Sequence, residues 1–129
     1  MLAGVDEAAL LAGRAADQDG RMELAGWFLD RGARWVVLKD GAAGCCGTDG
    51  RTAVDQPAFV AHPVDPVGAG DAFAAGFLSA HLRGADLADA LRQGAAVGAL
   101  AVAATGDTPG LPSAATLAAV LRGDADVAR

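Results

Sequence analysis

Hydrophobic positions follow a helical repeat near the start of the chain and then become continuous, which predicts an α/β arrangement. Apolar residues spaced for one helix face predict helices over residues 6–11 and 19–30, which end near Gly13 and Gly32. Residues 35–38 are apolar without interruption, as in a strand that is buried on both faces. A helix, a glycine turn and a buried strand in this order indicate an α/β fold.

The middle of the chain predicts short strands separated by turns. Residues 41–44 contain two glycines and are typical of a turn after the buried strand. An Asp-Gly pair at residues 49–50 is a strong signal for a β-hairpin. Strands are therefore expected around Cys45 and Cys46, over residues 52–54 and over residues 58–64.

The last part of the chain predicts three helices. The first covers residues 72–82 and ends at Gly84, with Phe73, Phe77 and Leu78 on one side. Asp86 is a suitable N-cap for a second helix that runs to about residue 104, and Ser113 for a third that ends near Leu121. The second helix should direct Leu87, Leu91, Val97 and Leu100 to the core, and residues 105–110 should form a loop.

Composition and charge narrow the classes of function. The 129 residues are 53% hydrophobic and 20% charged, which predicts one folded domain over residues 1–129. A net charge of −6 without a Lys/Arg cluster argues against a nucleic-acid partner, whose phosphates need positive charge. No apolar run is long enough for a membrane span, and no signal peptide precedes the first helix. We therefore expect a cytoplasmic protein.

Cysteine and histidine residues do not suggest a metal or redox centre. Cys45 and Cys46 are neighbours, a spacing that strains a disulfide, and we expect them to be buried and reduced. His62 and His81 each stand alone, which favours structural or surface roles.

The segment at residues 64–77, VDPVGAGDAFAAGF, carries the chemistry. It predicts a glycine turn and then a helix start, where free N–H groups and glycines let a phosphate approach the backbone. Asp71 would repel that phosphate, so its presence makes sense if it accepts a proton from an attacking hydroxyl. The alternative is that Asp71 is an N-terminal cap or dipole partner. The segment is not a P-loop, since the Gly-Lys-Ser/Thr ending is absent.

The same segment resembles the second signature of the PfkB/ribokinase-type carbohydrate kinases. The matching residues are Asp65, Gly68, Ala69, Gly70, Asp71, Phe73, Ala75 and Gly76. The resemblance implies the C-terminal, nucleotide-binding part of a ribokinase-like doubly wound α/β fold. Pro66 stands where threonine is usual, a change that is also typical of 2-keto-3-deoxygluconate kinases.

Roles for the turn follow from this resemblance. Asp71 would be the catalytic base, and Gly68, Ala69 and Gly70 would form the anion hole for the transferred phosphate. Asp65 would help to bind the monovalent cation, such as K⁺, that many members use. A valine at Gly70 would block phosphate approach and conflict with the dihedral angles of the turn.

The resemblance also implies which residues lie beside the nucleotide and which residue binds Mg²⁺. ATP would lie beside Lys39, Gly41 and Gly44, and the helix end and loop that contain Val102 and Gly106 would close over adenine. Lys39 has a second interpretation as a solvated residue at a strand end. Glu7 matches the glutamate of an Asn-x-x-Glu motif that orders Mg²⁺, although Gly4 replaces the asparagine. It also fits as an ordinary first-turn glutamate.

These features favour ATP-dependent phosphoryl transfer to a hydroxyl of a small sugar or sugar acid. The substrate that fits best is 2-keto-3-deoxygluconate, followed by fructose or another ketose, and kinases of nucleosides or vitamin alcohols share the same turn. The resemblance covers the C-terminal part of a longer kinase and omits most sugar contacts. A nucleotide-binding fragment or remnant without catalysis is therefore the alternative. Because a sheet that begins in mid-fold exposes an edge, we expect a tendency to associate through that edge, for example as a homodimer.

Overall fold

A computed structural model describes residues 1–14, 20–105 and 110–127 of the chain. The chain divides into two compact units, Met1–Pro57 and Ala58–Arg129. The first contains the four strands of the described residues, and the second contains the three C-terminal helices. That residues 1–129 act as one domain, the C-terminal portion of a kinase, stays a prediction.

The first unit is a mixed four-stranded sheet with two helices. Its strands lie in the order β1-β2-β3-β4; β1 is parallel to β2, and the other neighbours are antiparallel. The elements are β1 (Leu2–Gly4), α1 (Val5–Ala12), α2 (Arg21–Leu29), β2 (Val36–Lys39), a 3₁₀ turn (Gly41–Ala43), β3 (Cys45–Thr48) and β4 (Ala53–Gln56). This sheet confirms the predicted α/β class.

Local signals in the first unit are confirmed. Gly13 ends α1 in a left-handed conformation, with φ 64°. After α2, the N–H of Gly32 donates to Leu29 O and that of Ala33 to Phe28 O, which is the pairing of a Schellman motif around Gly32. The predicted hairpin joins β3 to β4. The sequence analysis missed β1, because three residues with little apolar patterning give no strand signal.

The core of this unit contains both cysteines. Val36, Leu38 and Cys46 lie on β2 and β3 and pack against α1 and α2. Cys45 and Cys46 are both buried and reduced, as expected. Burial raises the pKa of Cys45 to about 12, with a further increase from the neighbouring Cys46 and from Asp55. The thiolate form needed for reaction is therefore strongly disfavoured.

The second unit contains α3 (Ala69–Leu82), α4 (Leu87–Val102) and α5 (Ala114–Arg122). Both predicted caps are confirmed: Asp86 Oδ1 accepts the N–H of Asp89 at 2.8 Å, and Ser113 Oγ accepts that of Thr116 at 3.1 Å. In the part of the chain that the structure describes, no helix is long and apolar enough to cross a membrane.

Glycines bring α3 and α4 close together. A Cβ added at Gly76 would lie 2.9 Å from Val97 Cβ, and one at Gly94 would lie 3.1 Å from Phe73 O. The Gln93 side chain also donates to Gly76 O at 2.9 Å. Phe73 and Phe77 are buried as predicted, but Leu78 is 39% exposed. Leu78 follows Phe77 by about 100° around the helix, which directs it away from the buried face.

The predicted strand over residues 58–64 is wrong, because this segment forms no strand. Phe59 and Ala61 pack against the cluster of Ala96, Val120 and Val127 on the helical side of the unit. Val60 between them is 82% exposed. The alternating burial of residues 59–61 therefore arises from packing on helices and not from a place in a sheet.

Candidate active site

The start of α3 is built by one left-handed glycine. Gly68 has φ 77° and ψ −9° and precedes the helix, which begins at Ala69, three residues earlier than predicted. The N–H of Ala72 donates to Gly68 O at 2.9 Å, which is the first intrahelical bond. The N–H of Ala69 donates outside the helix, to Pro66 O at 3.4 Å. The first turn of a helix is the usual place of an anion site, because its N–H groups do not take part in the helical hydrogen-bond ladder.

Gly70 does not carry the unusual dihedral angle. It lies inside α3 and is not among the glycines with positive φ. The expectation that a side chain at Gly70 conflicts with the turn's dihedral angles is therefore wrong, and that constraint belongs to Gly68. The predicted effect of Gly70 on phosphate approach stays a prediction.

Asp71 is the third residue of α3 and is exposed. A carboxylate in the first turn is favoured by the positive end of the helix dipole. This placement agrees with both interpretations of Asp71, because an exposed first-turn carboxylate can stabilise the helix and can also accept a proton from a bound hydroxyl.

Asp65 and Val102 are brought together by the segment that leads into the turn. The N–H groups of Val64 and Asp65 both donate to Val102 O, at 2.7 and 3.2 Å. Asp65 Oδ1 accepts the N–H of Val67 at 3.0 Å, which forms an Asx-turn. Val102 therefore anchors the approach to Gly68 through its carbonyl group, a role that sequence reasoning did not find.

Three of the other predicted residues line an open cleft of about 370 Å³ in the first unit. Glu7, Lys39 and Gly41 line it together with Gly4 and Asp40. The cleft lies where the parallel strands β1 and β2 end. Carboxyl ends of parallel strands are the usual binding edge of α/β sheets.

Glu7 has a structural role at this cleft. Its Oε2 accepts the N–H of Gly4 at 2.7 Å, as in one half of a capping box at the start of α1. Oε1 has no hydrogen-bond partner among the described residues. The ordinary first-turn interpretation is thus supported, and one oxygen is left for a ligand.

The turn after β2 is closed by backbone hydrogen bonds. The N–H of Asp40 donates to Gly44 O at 2.8 Å, and the N–H of Gly44 donates to Gly41 O at 3.1 Å. Gly44 is buried with φ 91°. Sequence reasoning missed Arg21, whose guanidinium pairs with Asp40 next to this turn; no local signal could have found a pair so far apart in sequence.

The remaining residues singled out in the sequence are not part of the α3 turn or the cleft as the structure describes them. Gly106 lies outside the described residues. The His81 ring stacks on Phe77 with centroids 5.7 Å apart, which supports its structural interpretation. Within residues 1–14, 20–105 and 110–127, no group of three or more His, Cys, Asp or Glu side chains could hold a metal ion by itself.

Replacing Gly68 tests the turn geometry. We expect Gly68→Ala to lower the free energy of unfolding by about 1–2 kcal/mol, because a Cβ disfavours the left-handed conformation. Gly70→Ala should cost less, since its backbone is helical. Urea denaturation followed by circular dichroism measures both, and a larger loss for Gly70→Ala would contradict the assignment.

Known kinases are similar in sequence to this chain over most or more than half of its length. The chain is 38% identical over 119 residues to a 2-dehydro-3-deoxygluconokinase of Bacillus subtilis, covering 92% of this chain and 36% of that protein. It is 50% identical over 78 residues to an acarbose 7(IV)-phosphotransferase of Actinoplanes, covering 57% of this chain and 26% of that protein. It thus spans about a third or less of the length of these curated relatives.

The fold has a solved counterpart. An Arabidopsis thaliana ribokinase complexed with ribose and ATP matches with a TM-score of 0.87 and 26% identity, covering 94% of this chain and 40% of that chain. This match confirms the predicted ribokinase-like fold. The model of the pfkB family carbohydrate kinases matches residues 1–114. Because this match extends over most of the sequence, the chain belongs to the pfkB family of carbohydrate kinases.

Proposed function

We propose that this chain supplies the nucleotide-binding and catalytic part of a kinase that transfers the γ-phosphoryl group of ATP to a hydroxyl of a small sugar or sugar acid. The observation that carries the proposal is the exposed Asp71 in the first turn of α3, directly after the left-handed Gly68. A site that only binds phosphate has no use for a carboxylate there, whereas phosphoryl transfer needs one to orient and deprotonate the nucleophile.

In the proposed phosphoryl transfer, each part of the turn at residues 68–71 has a separate role. The substrate oxygen bonds to the γ-phosphorus, the bond from that phosphorus to the β–γ bridging oxygen breaks, and ADP leaves. The hydroxyl proton passes to the carboxylate of Asp71. The backbone N–H groups of the turn at Gly68, Ala69 and Gly70 stabilise the charge on the transferred group, as in other anion holes at helix starts.

On the nucleotide side, ATP is proposed to contact Lys39, Gly41 and Gly44, with Val102 and Gly106 near adenine. The described cleft supports the contacts of Lys39 and Gly41, since both line it with Glu7, whereas Gly44 does not line it. The solved relative named as a complex with ribose and ATP supports ATP as the donor.

Metal ions are proposed to act with the nucleotide. Mg²⁺ usually binds through one or two carboxylates and substrate phosphates, and it would neutralise the charge on those phosphates. The single carboxylate of Glu7 fits this pattern, because Oε2 is used by Gly4 and Oε1 is not. Asp65, which precedes the turn and forms an Asx-turn with the N–H of Val67, is proposed as a ligand of a monovalent cation such as K⁺.

Among sugars, 2-keto-3-deoxygluconate is the proposed substrate class. Support comes from the identity to a 2-dehydro-3-deoxygluconokinase over nearly the whole chain. Fructose or another ketose is the next choice. The cytoplasmic location that the sequence suggested stays a prediction.

An alternative is that the chain binds nucleotide without turnover of its own. The chain covers 36% of the Bacillus relative, which favours this alternative for the isolated chain. For the purified 129-residue protein we therefore expect weak binding of ATP–Mg²⁺ and no measurable binding of 2-keto-3-deoxygluconate. Isothermal titration with each ligand measures both, and sedimentation velocity at the same concentration distinguishes a monomer from a homodimer.

The two ligands separate the outcomes of this test. Absence of ATP binding would refute the proposed nucleotide site. Tight sugar binding by a stable monomer would contradict the alternative, because it would require a complete substrate site within this chain.

A further inference from the structure

An ionic cluster centred on one largely buried arginine joins three parts of the first unit, and its members range from 13% exposed at Arg21 to 63% exposed at Asp55. Arg21, the first residue of α2, places NH1 3.5 Å from Asp40 Oδ2 and NH2 3.0 Å from Asp55 Oδ1. Asp40 follows β2, and Asp55 lies on β4. The Arg21 side chain is only 13% exposed, against 42% for Arg14 in its surface pair with Glu23. Arg21 thus links α2 to the end of β2 and to β4 through its two ion pairs.

Asp40 depends on this arginine. Its Oδ2 and the NH1 of Arg21 are both buried, and neither atom has a hydrogen-bond partner among the residues that the structure describes. A buried charge is costly unless an opposite charge compensates it. The two atoms compensate each other, so that loss of Arg21 would leave the Asp40 carboxylate without its buried counter-charge and force it to move.

Movement of Asp40 would disturb the turn that follows it. Its N–H donates to Gly44 O at 2.8 Å, and its carbonyl oxygen accepts the N–H of Ala43 at 2.9 Å. Both hydrogen bonds close the 41–44 turn on Asp40. The residue before it is Lys39, which lines the cleft together with Asp40 and Gly41.

We infer that Arg21 is a positioning residue, which holds the 41–44 turn in place through the side chain of Asp40. Its consequence for ATP rests on the proposed function, in which this turn lies beside the nucleotide. Arg21 itself does not line the cleft, so that it acts through Asp40 and not by contact with a ligand.

Hydrogen exchange on the 129-residue chain tests the inference without any ligand. In Arg21→Met we expect the amides of Asp40 and Gly44 to exchange on the order of tenfold faster, because local opening of the turn becomes easier. Arg14→Met removes an equally charged side chain from a surface pair and should leave these amides unchanged. Unchanged exchange in Arg21→Met, or an equal change in Arg14→Met, would overturn the inference.

A double-mutant cycle tests whether the effect passes through Asp40. Once Asp40→Asn has removed the charge that needs compensation, Arg21→Met should have little further effect on exchange. Additive effects would show that Arg21 acts by another route and would refute the inference. If Arg21→Met does not fold, Arg21→Lys takes its place, since it keeps the charge but loses the planar fork that reaches two carboxylates.

Titration with ATP then separates this inference from the proposed function. If the wild-type chain binds ATP, Arg21→Met should bind it on the order of tenfold more weakly, whereas Arg14→Met should match the wild type. Equal affinity in Arg21→Met would overturn the positioning role toward the nucleotide. If the wild-type chain binds no ATP, the proposed function fails, and the exchange data alone decide whether Arg21 holds the turn.

Discussion

Replacement of Asp71 by asparagine is expected to lower turnover by about 10²–10⁴-fold while leaving ATP affinity nearly unchanged, because a general base acts in the transition state and not in ground-state binding. Turnover requires a complete kinase, so the measurement uses a chimera in which this chain replaces the matching part of the Bacillus subtilis relative. Steady-state rates with saturating 2-keto-3-deoxygluconate and titration with ATP give the two quantities.

Asp89 provides a matched control for the structural role of Asp71. Each is an exposed aspartate at the third position of its helix, Asp71 in α3 and Asp89 in α4. Both Asn variants should lose a similar small amount of stability from the helix dipole. Only Asp71→Asn should lose turnover. If it kept more than about a tenth of the wild-type rate, Asp71 would not be the base.

Valine at Gly76 is expected to destabilise the second unit by about 3 kcal/mol, because overpacking a tight contact forces side chains and backbone to shift. The added Cβ would meet Val97 Cβ and Cγ2 at 2.9 Å and the carbonyl oxygen of Gln93 at 3.1 Å. Thermal and urea denaturation, followed by circular dichroism, measure the loss.

Gly26 in α2 is a control for the Gly76 variant, because it is a helical glycine with open space around it. A Cβ there would have no neighbour within 4 Å. Gly26→Ala should therefore raise stability by about 1 kcal/mol through helix propensity alone. If Gly76→Val were as stable as the wild type, α3 and α4 would not be in the close contact described.

The parts of the fold that sequence analysis predicted are those encoded by neighbouring residues. Asp86 and Ser113 cap their helices through bonds that span three residues, and Gly13 ends α1 by its own conformation. The candidate base was found for the same reason, because the glycines and Asp71 that define it are consecutive. Such features need no knowledge of the partner element.

Features that depend on distant partners were missed or misread. Segment 58–64 begins with a run of apolar residues like that of a strand, but Phe59 and Ala61 pack on helices, and such a run does not reveal the nature of the packing partner. Strand β1 becomes recognisable only through its pairing with β2. The contact of Arg21 with Asp40 likewise arises only after α2 has packed beside the end of β2.

The mixed pairing of the first sheet has a consequence for the order of folding. Strands β2, β3 and β4 are joined by short turns and pair antiparallel, so that their contacts close small loops and form early. Strand β1 precedes these three strands in the chain, and its parallel partner β2 follows only after α1 and α2. We therefore expect β1 to join a preformed three-stranded sheet last, and exchange protection of Leu2 and Ala3 should appear after that of Cys46 and Gly47 in a refolding pulse-labelling experiment.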